Sequence, residues 1–299
     1  MGEQSPASDV VDLFGQRLAE REAALAPAGR RVARFIDQNR ASVLASSAVY
    51  LAASTGTSDA TVVRSVQALG FTGLGDLKQA LVAALGRAST PADAMDRTLA
   101  AVGADTARAV DLVIDAHAEA FAALREASSR ERIVTAVKTL HPASRIVVFG
   151  IGPSAALANY VSLLLERAGR RTKKLNATGT MLADQMLDLR HGDALLALAY
   201  GRPYREVSAV LAEGRRLGLP VVLVTDSPGS RLGRSVDVVL AAQRGQAGKV
   251  ALHGATLVGL EALVLGLATA NPDAAMTALG RLNELRTAIA GDSPDLGAA

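Results

Sequence analysis

Four polar side chains recur at intervals of three residues and are of the types that contact nucleic acid. They are Ser58, Thr61, Arg64 and Gln67. From a helix in the major groove, arginine can pair with guanine or a phosphate, and glutamine can pair with adenine, while a hydroxyl suits a phosphate contact. The same residues also fit a capped amphipathic helix with an ordinary polar face. Both interpretations require a helix at this place.

A glycine-rich turn from Gly150 to Ser154 has the composition of an anion-binding loop. Its sequence, Gly-Ile-Gly-Pro-Ser, follows an apolar run and precedes a helical one. Gly150 and Gly152 let the backbone approach a ligand, and Ser154 with the free amides of the helix start attracts negative charge. A tight turn without a ligand would have the same sequence.

A second loop carries positive charge in a comparable position. Its Arg202 and Arg205 can form charge-assisted hydrogen bonds with a phosphate or carboxylate, or they can simply face solvent. Beside them, Tyr200 can stack on a ligand ring or fill the pocket.

Composition excludes several classes of chemistry. The chain of 299 residues has no cysteine, which rules out disulfides, thiolate metal sites and a cysteine nucleophile. The four histidines have no metal-ligand spacing, so we expect neither a metal nor a cofactor. Residues 1–12 do not resemble a signal peptide, and the apolar run 250–270 is interrupted by His253 and Glu261. We therefore expect a soluble cytoplasmic protein with no membrane partner.

The polar residues of the first group lie in a predicted helix-turn-helix. We expect a short helix over 48–53, a turn over 54–57 and a second helix over 58–69 that stops at Gly70. Helical spacing places Val62, Val66 and Leu69 on the buried stripe. Further helices are predicted over 8–25, from Pro27 and over 75–85. Residues 27–88 carry seven basic and three acidic side chains, a net +4 that suits a partner with phosphates.

From residue 129 onward the apolar pattern changes to alternating strands and helices. Strands are predicted over 145–150, 171–175, 194–200, 221–226 and 236–242, and helices over 153–168, 178–188, 204–217 and 250–269. Continuous apolar strands between helices predict a parallel sheet covered on both faces. We expect a three-layer α/β sandwich of about five strands, with ligands beyond the carboxyl ends of the strands.

Residues 56–78, GTSDATVVRSVQALGFTGLGDLK, resemble the DNA-binding segment of RpiR-type transcriptional regulators. The resemblance implies a sugar isomerase (SIS) effector domain downstream, of flavodoxin-like fold. The sequence from Arg145 onward is similar to that domain, whose first loop is G-x-G-x-S, and Ser154 then occupies the position that contacts a sugar phosphate. A later loop, Thr225-Asp226-Ser227, resembles the family's T-[DN]-S loop.

One loop departs from the family pattern S-x-S-G-x-[TS]. Gly201 aligns with the pattern's glycine, but Leu198 and Tyr200 stand in place of the two serines that hold the phosphate, and Pro203 replaces the last hydroxyl residue. Two hydroxyl donors are therefore missing, and Arg202 and Arg205 are the candidates to replace them.

These patterns predict four segments. They are a helix-turn-helix domain over 1–88, a helical linker over 89–128, a SIS effector-binding and oligomerisation domain over 129–290, and a flexible tail over 291–299. We expect a regulator, not an enzyme, that binds a double-stranded DNA operator as a homodimer or homotetramer and senses a small anionic effector such as a phosphosugar. The predicted effector residues are Gly150, Gly152, Ser154, Tyr200, Gly201, Arg202, Arg205, Thr225, Asp226 and Ser227.

Two other functions stay open at the level of sequence. A phosphosugar isomerase would need a general acid and base, for which Glu206 and His253 are the candidates. Alternatively, the SIS domain can serve dimerisation alone, without a ligand.

Overall fold

The computed structural model describes residues 12–44, 46–86, 90–201, 204–246 and 248–290. By its internal contacts the chain divides into an N-terminal unit, Met1–Thr106 with Gln246–Val250, and a C-terminal unit, Ala107–Gly245 with Ala251–Ala299. The tail predicted over 291–299 and the start of the first predicted helix lie outside the described residues. The domain limits that we set from the sequence remain predictions.

In the N-terminal unit, the regular elements among the described residues are all helices. Two of its helices begin with a proline at the first position, where the missing amide hydrogen costs nothing. Before one of them, Thr90 and Asp93 form a reciprocal capping box. The helices are α1 Leu13–Arg21, followed by a 3-10 turn Glu22–Ala24, α2 Pro27–Gln38, α3 Arg40–Val43, α4 Ala48–Thr55, α5 Asp59–Ala68, α6 Leu74–Gly86 and α7 Pro91–Val102.

The apolar stripe predicted for the second helix of the helix-turn-helix is confirmed. Val62, Val66 and Leu69 are fully buried in one core with Phe14 and Ile36. Because these side chains come from α1, α2 and α5, the core fixes which face of α5 is left outward. The predicted helices from Pro27 and over 75–85 correspond to α2 and α6.

The turn of the helix-turn-helix is shorter than predicted. We expected α4 to end near Ala53, but it continues to Thr55, and Gly56 closes it in the left-handed conformation with φ of 60°. The Thr55 hydroxyl donates to the Leu51 carbonyl at 2.8 Å, and the Thr57 amide donates to the Ala52 carbonyl at 2.9 Å. These bonds satisfy carbonyls at the helix end that the sequence pattern leaves unassigned.

The C-terminal unit contains a parallel sheet of five strands in the order β2-β1-β3-β4-β5. The strands are β1 Arg145–Phe149, β2 Thr172–Leu175, β3 Asp193–Leu198, β4 Val221–Thr225 and β5 Val238–Ala241. The helices are α8 Thr106–Arg125, α9 Ala127–Leu140, α10 Pro153–Arg167, α11 Thr180–Met186, α12 Arg205–Arg216, α13 Gly254–Ala270 and α14 Pro272–Ala290. The predicted sheet is thereby confirmed, strand by strand.

Alternate residues of the strands enter two separate cores, one on each face of the sheet. Ile146 and Val148 pack with α9, α10 and α13, whereas Val147 and Phe149 pack with α11 and α12. This arrangement is the three-layer sandwich that the continuous apolar strands predicted. Three element starts were predicted two or more residues too early: α11 begins at Thr180, β5 begins after a 3-10 turn, Gly233–Ser235, and α13 begins at Gly254.

Among the described residues, no single helix is both long enough and apolar enough to cross a membrane. The two helices α13 and α14 meet both requirements only when taken together, and the chain bends by 106° between them.

Candidate functional site

The outward face of α5 carries the side chains predicted to contact DNA. Arg64 and Gln67 are exposed, whereas Thr61 is half-buried. Within the part of the chain that the structure describes, neither the Arg64 guanidinium nor the Gln67 amide is hydrogen-bonded to another side chain or to backbone. Both groups are therefore available to a partner.

The two hydroxyls at the start of α5 are partly committed to the helix itself. The Ser58 Oγ accepts a hydrogen bond from the Thr61 amide at 3.2 Å, and the two hydroxyl oxygens lie 2.9 Å apart. Ser58 is thus the N-cap of α5, and Asp59 adds negative charge at the positive end of the helix dipole. We therefore expect Arg64 and Gln67 to contribute more to any contact with bases than Ser58 and Thr61.

One arginine outside the predicted site fixes the far end of α5. The Arg17 Nη1 donates to the Gly70 carbonyl at 2.6 Å, and its guanidinium lies 4.4 Å from the centroid of the Phe71 ring. Arg17 thereby ties α1 to the residues that follow α5. The partners are 53 residues apart in sequence, and no local signal in the sequence indicates this contact.

In the C-terminal unit, three of the predicted loops follow β1, β3 and β4, which are neighbours in the sheet. The loop after β1 needs its first glycine, because a Cβ on Gly150 would lie 2.5 Å from the Ser154 carbonyl oxygen. Gly152 has φ of 58°, which favours glycine. Ser154 lies in the first turn of α10 and is 8% exposed. The turn therefore has the geometry that its sequence predicted.

The loops after β3 and β4 are joined by Asp226. Its Oδ1 accepts hydrogen bonds from the Gly201 amide and from the Ser227 hydroxyl, both at 3.1 Å. The Thr225 hydroxyl oxygen accepts from the Ser227 amide at 3.2 Å. Four predicted site residues are thus brought together. Of the two predicted arginines, Arg205 is exposed at the start of α12, and Arg202 lies outside the described residues.

Arg244, which lies in the segment after β5, has no signal in the sequence that identifies it as a site residue. Its Nε and Nη2 donate to the Asp226 Oδ2 at 2.9 and 2.6 Å. Its guanidinium also lies 4.4 Å from the centroid of the Tyr200 ring, in a cation–π contact. Arg244 therefore places a positive charge beside the loop that lacks the family's serines.

Tyr200 is packed into the sheet face that meets α13. Its hydroxyl lies 2.9 Å from the Thr256 Oγ1, and its ring meets His253 edge-on at a centroid distance of 5.4 Å. Burial raises the pKa of Tyr200 to about 12, so the phenol stays neutral at ordinary pH. The hydroxyl is thus engaged with Thr256, and the ring supports Arg244.

We expect His253 to make the C-terminal unit less stable in mild acid. Burial, and then the charge of Arg244, lower its pKa, while Asp226 acts in the opposite direction. The unfolded chain therefore binds the proton more readily than the folded chain does. The contribution of neutral His253 to the free energy of unfolding should be fully present above the unfolded pKa of about 6.5. Below that pH it should fall, by at most about 1.4 kcal/mol per pH unit.

This expectation can be checked by urea unfolding at several pH values between mild acid and neutrality, followed by the near-UV circular dichroism of tyrosine. His253→Gln should flatten the pH dependence, while the same change at His191, which is exposed, should leave it as in the wild type. Equal slopes for the wild type and His253→Gln would contradict the assignment.

The two units match two known domain models. A helix-turn-helix domain model of the rpiR family matches residues 14–87, and a SIS domain model matches residues 139–271. The chain has the architecture of an RpiR-type regulator. The fold class and the family resemblance predicted from the sequence are thereby confirmed, whereas the individual site residues stay predictions.

Several proteins are similar to this RpiR-type chain. The bifunctional protein glk of Burkholderia orbicola is 29% identical over 213 residues, which are 71% of this chain and 32% of that protein. The chain thus spans about a third of the first curated relatives that it matches. An uncharacterized HTH-type transcriptional regulator of Escherichia coli, YfhH, is 28% identical over 70% of this chain and 74% of its own length.

A solved structure supports the assignment of the C-terminal unit. The sugar isomerase domain of an RpiR transcription factor from Sphaerobacter thermophilus is 26% identical, with a TM-score of 0.53. It covers 58% of this chain and 97% of its own chain. The RpiR-type chain therefore shares this fold over its sheet and flanking helices.

Proposed function

We propose that this chain is a DNA-binding transcriptional regulator whose SIS domain senses a small anionic metabolite, of which a phosphosugar is one example. The observation that carries the proposal is the union of an rpiR-type helix-turn-helix with a SIS domain in one chain. We further propose that it acts in the cytoplasm on a double-stranded DNA operator.

In the N-terminal unit, α5 is the proposed recognition helix. Arg64 and Gln67 read bases from the exposed face of α5, and Ser58 and Thr61 contact phosphates at its start. Arg17 holds the end of the helix through Gly70, which limits how far the reading face can rotate. The proposed base contacts and the proposed phosphate contacts can therefore be tested separately by substitution.

In the C-terminal unit, Arg244 is the proposed anchor for the effector anion. The family's two serines are replaced by Leu198, which is buried, and by Tyr200, whose hydroxyl is engaged with Thr256. Arg244 supplies a positive charge at the same loops; its Nε and Nη2 are bonded to Asp226, and its Nη1 is the donor that we propose for a phosphate or carboxylate. Ser154 and the backbone of the loop after β1 complete the proposed site.

We also propose that the chain works as a homodimer or homotetramer. Helix α8 leaves four apolar side chains exposed along one side: Val110, Val113, Ile114 and Phe121. Val113 and Ile114 follow Val110 by three and four residues, and Phe121 follows Ile114 by seven, which is helical spacing. A second copy would remove this apolar stripe from water. Two recognition helices in one assembly would fit half-sites about one DNA turn apart, and their relative placement is the variable that an effector can change.

Catalysis is not part of the proposal. Glu206, a candidate for the isomerase base, accepts a hydrogen bond from the Gly179 amide at 3.4 Å. His253, the other candidate, is packed against Tyr200 and has a lowered pKa because of burial. Both side chains are thus accounted for by contacts within the unit.

We expect Arg244→Gln to weaken effector binding about tenfold or more, because a charge-assisted hydrogen bond is lost. Operator affinity without effector should stay unchanged. The measurement is a titration of operator DNA, obtained by selection, with and without the effector. Arg216→Gln, on the exposed surface of α12, is the matched control. An unchanged effector response in Arg244→Gln would remove Arg244 from the site.

A further inference from the structure

A cavity of about 380 Å³ lies in the C-terminal unit between α9, α13 and the ends of β4 and β5. It shares none of the ten predicted effector residues. Its volume falls in the range of roughly 300–1,000 Å³ that is typical of small-molecule sites. The larger apolar residues that line it are Leu124, Ile133, Val224, Val239, Leu240 and Leu260.

The space in this cavity is kept open by a glycine in the middle of a helix. Gly259 lies inside α13, where an added Cβ would meet no atom within 4 Å. Glycine weakens a helix interior, and a larger residue at this position would extend into the open space that Gly259 lines. A side chain at position 259 would occupy part of the cavity, and the glycine leaves that volume empty.

The polar groups of the lining indicate the charge of a ligand. Arg132 is the one charged residue among the described residues that line the cavity, and Ser128 adds a hydroxyl nearby. Arg132 is exposed, and within the described chain its guanidinium is not paired with a carboxylate. Walls of aliphatic side chains and a single cation favour a molecule with an apolar body and one negative group.

We propose that this cavity binds a small amphipathic anion. The apolar body packs against Leu124, Ile133 and Leu260, and the carboxylate or sulfonate pairs with Arg132. Thr256 also lines the cavity and bonds to the Tyr200 hydroxyl, so the site adjoins the loop that holds Arg244. The proposal concerns a second site and does not depend on the DNA-binding function.

The test uses the full chain and the fluorescent probe anilinonaphthalene sulfonate, which has an aromatic body and one negative charge. We expect saturable binding of one dye per chain. Gly259→Leu should fill the cavity and weaken dye binding more than tenfold, and Arg132→Gln should weaken it about tenfold. Gly280→Leu in α14 is the matched control, because a Cβ there also meets nothing within 4 Å, and it should bind dye as the wild type does.

A displacement experiment tests the charge directly. Octanoate should displace the dye, whereas octylammonium, with the same chain length and the opposite charge, should not. Equal displacement by both would overturn the anion assignment. Dye binding by Gly259→Leu at wild-type affinity, or no saturable binding at all, would overturn the site itself. Loss of the near-UV circular dichroism in Gly259→Leu would mean that this variant is unfolded. The displacement experiment and the dye affinity of Arg132→Gln then decide whether the cavity binds an anion.

Discussion

Asp193→Ala is expected to lower the free energy of unfolding of the C-terminal unit by about 3–5 kcal/mol, since it removes one partner of a buried ion pair. The Asp193 side chain is fully buried and accepts hydrogen bonds from the Arg145 Nε and Nη2 at 3.0 and 2.7 Å. It also accepts from the Arg190 amide at 3.1 Å. Without the Asp193 carboxylate, the positive charge of Arg145 at the start of β1 is less well neutralised, although its side chain is only 12% exposed.

The exposed partner of the same arginine provides the control. Asp188 bonds to the Arg145 Nη1 at 2.8 Å, but its side chain is 57% exposed. Asp188→Ala should therefore cost only about 0–1 kcal/mol. Urea unfolding followed by near-UV circular dichroism measures both variants, because three of the four tyrosines lie in this unit. A similar loss in both would contradict the role of burial.

Arg64→Ala is expected to weaken binding to the operator by about 1–3 kcal/mol, if the guanidinium contacts a base as proposed. This loss corresponds to roughly 5-fold to 150-fold in the dissociation constant. The helix should stay folded, because Arg64 is exposed and the core side chains of α5 are unchanged. The measurement is a titration of labelled operator with each protein at fixed salt.

The control for Arg64 removes the same charge elsewhere. Arg215 is exposed on α12 in the C-terminal unit, so Arg215→Ala should leave operator affinity nearly unchanged. Arg64→Ala should also lose discrimination between operator and random DNA. Equal affinity of wild type and Arg64→Ala for the operator would remove Arg64 from the reading face.

Local patterns in the sequence were sufficient to predict the five strands and most of the helices, although α9 and α14 were not predicted. The spacing of Val62, Val66 and Leu69 identified the buried side of α5, because helical periodicity determines which side chains share a face. The continuous apolar strands predicted a parallel sheet, since a strand covered on both faces has no polar side. The glycine pattern Gly150 to Ser154 predicted a tight turn that no other residue type would allow at its first position.

Contacts between distant residues could not be predicted in the same way. Arg17 and Gly70 are 53 residues apart, and Arg244 and Asp226 come from segments after different strands. Such pairs depend on how the elements pack, and an arginine in a loop has no periodicity to identify it. The effector loop shows the consequence: the sequence indicated Arg202 and Arg205, which stay predictions, but it did not indicate Arg244, which contacts the Tyr200 ring.

The most direct test of the proposed function is a selection of bound sequences from random double-stranded DNA, using the full chain. The most enriched DNA sequence is then titrated with the protein at two salt concentrations, with and without each member of a panel of phosphosugars and small carboxylic acids. We predict a palindromic sequence whose affinity shifts with at least one of these anions. If no sequence is enriched, the chain is not a sequence-specific DNA-binding regulator, and isomerase assays on the same panel become the next experiment.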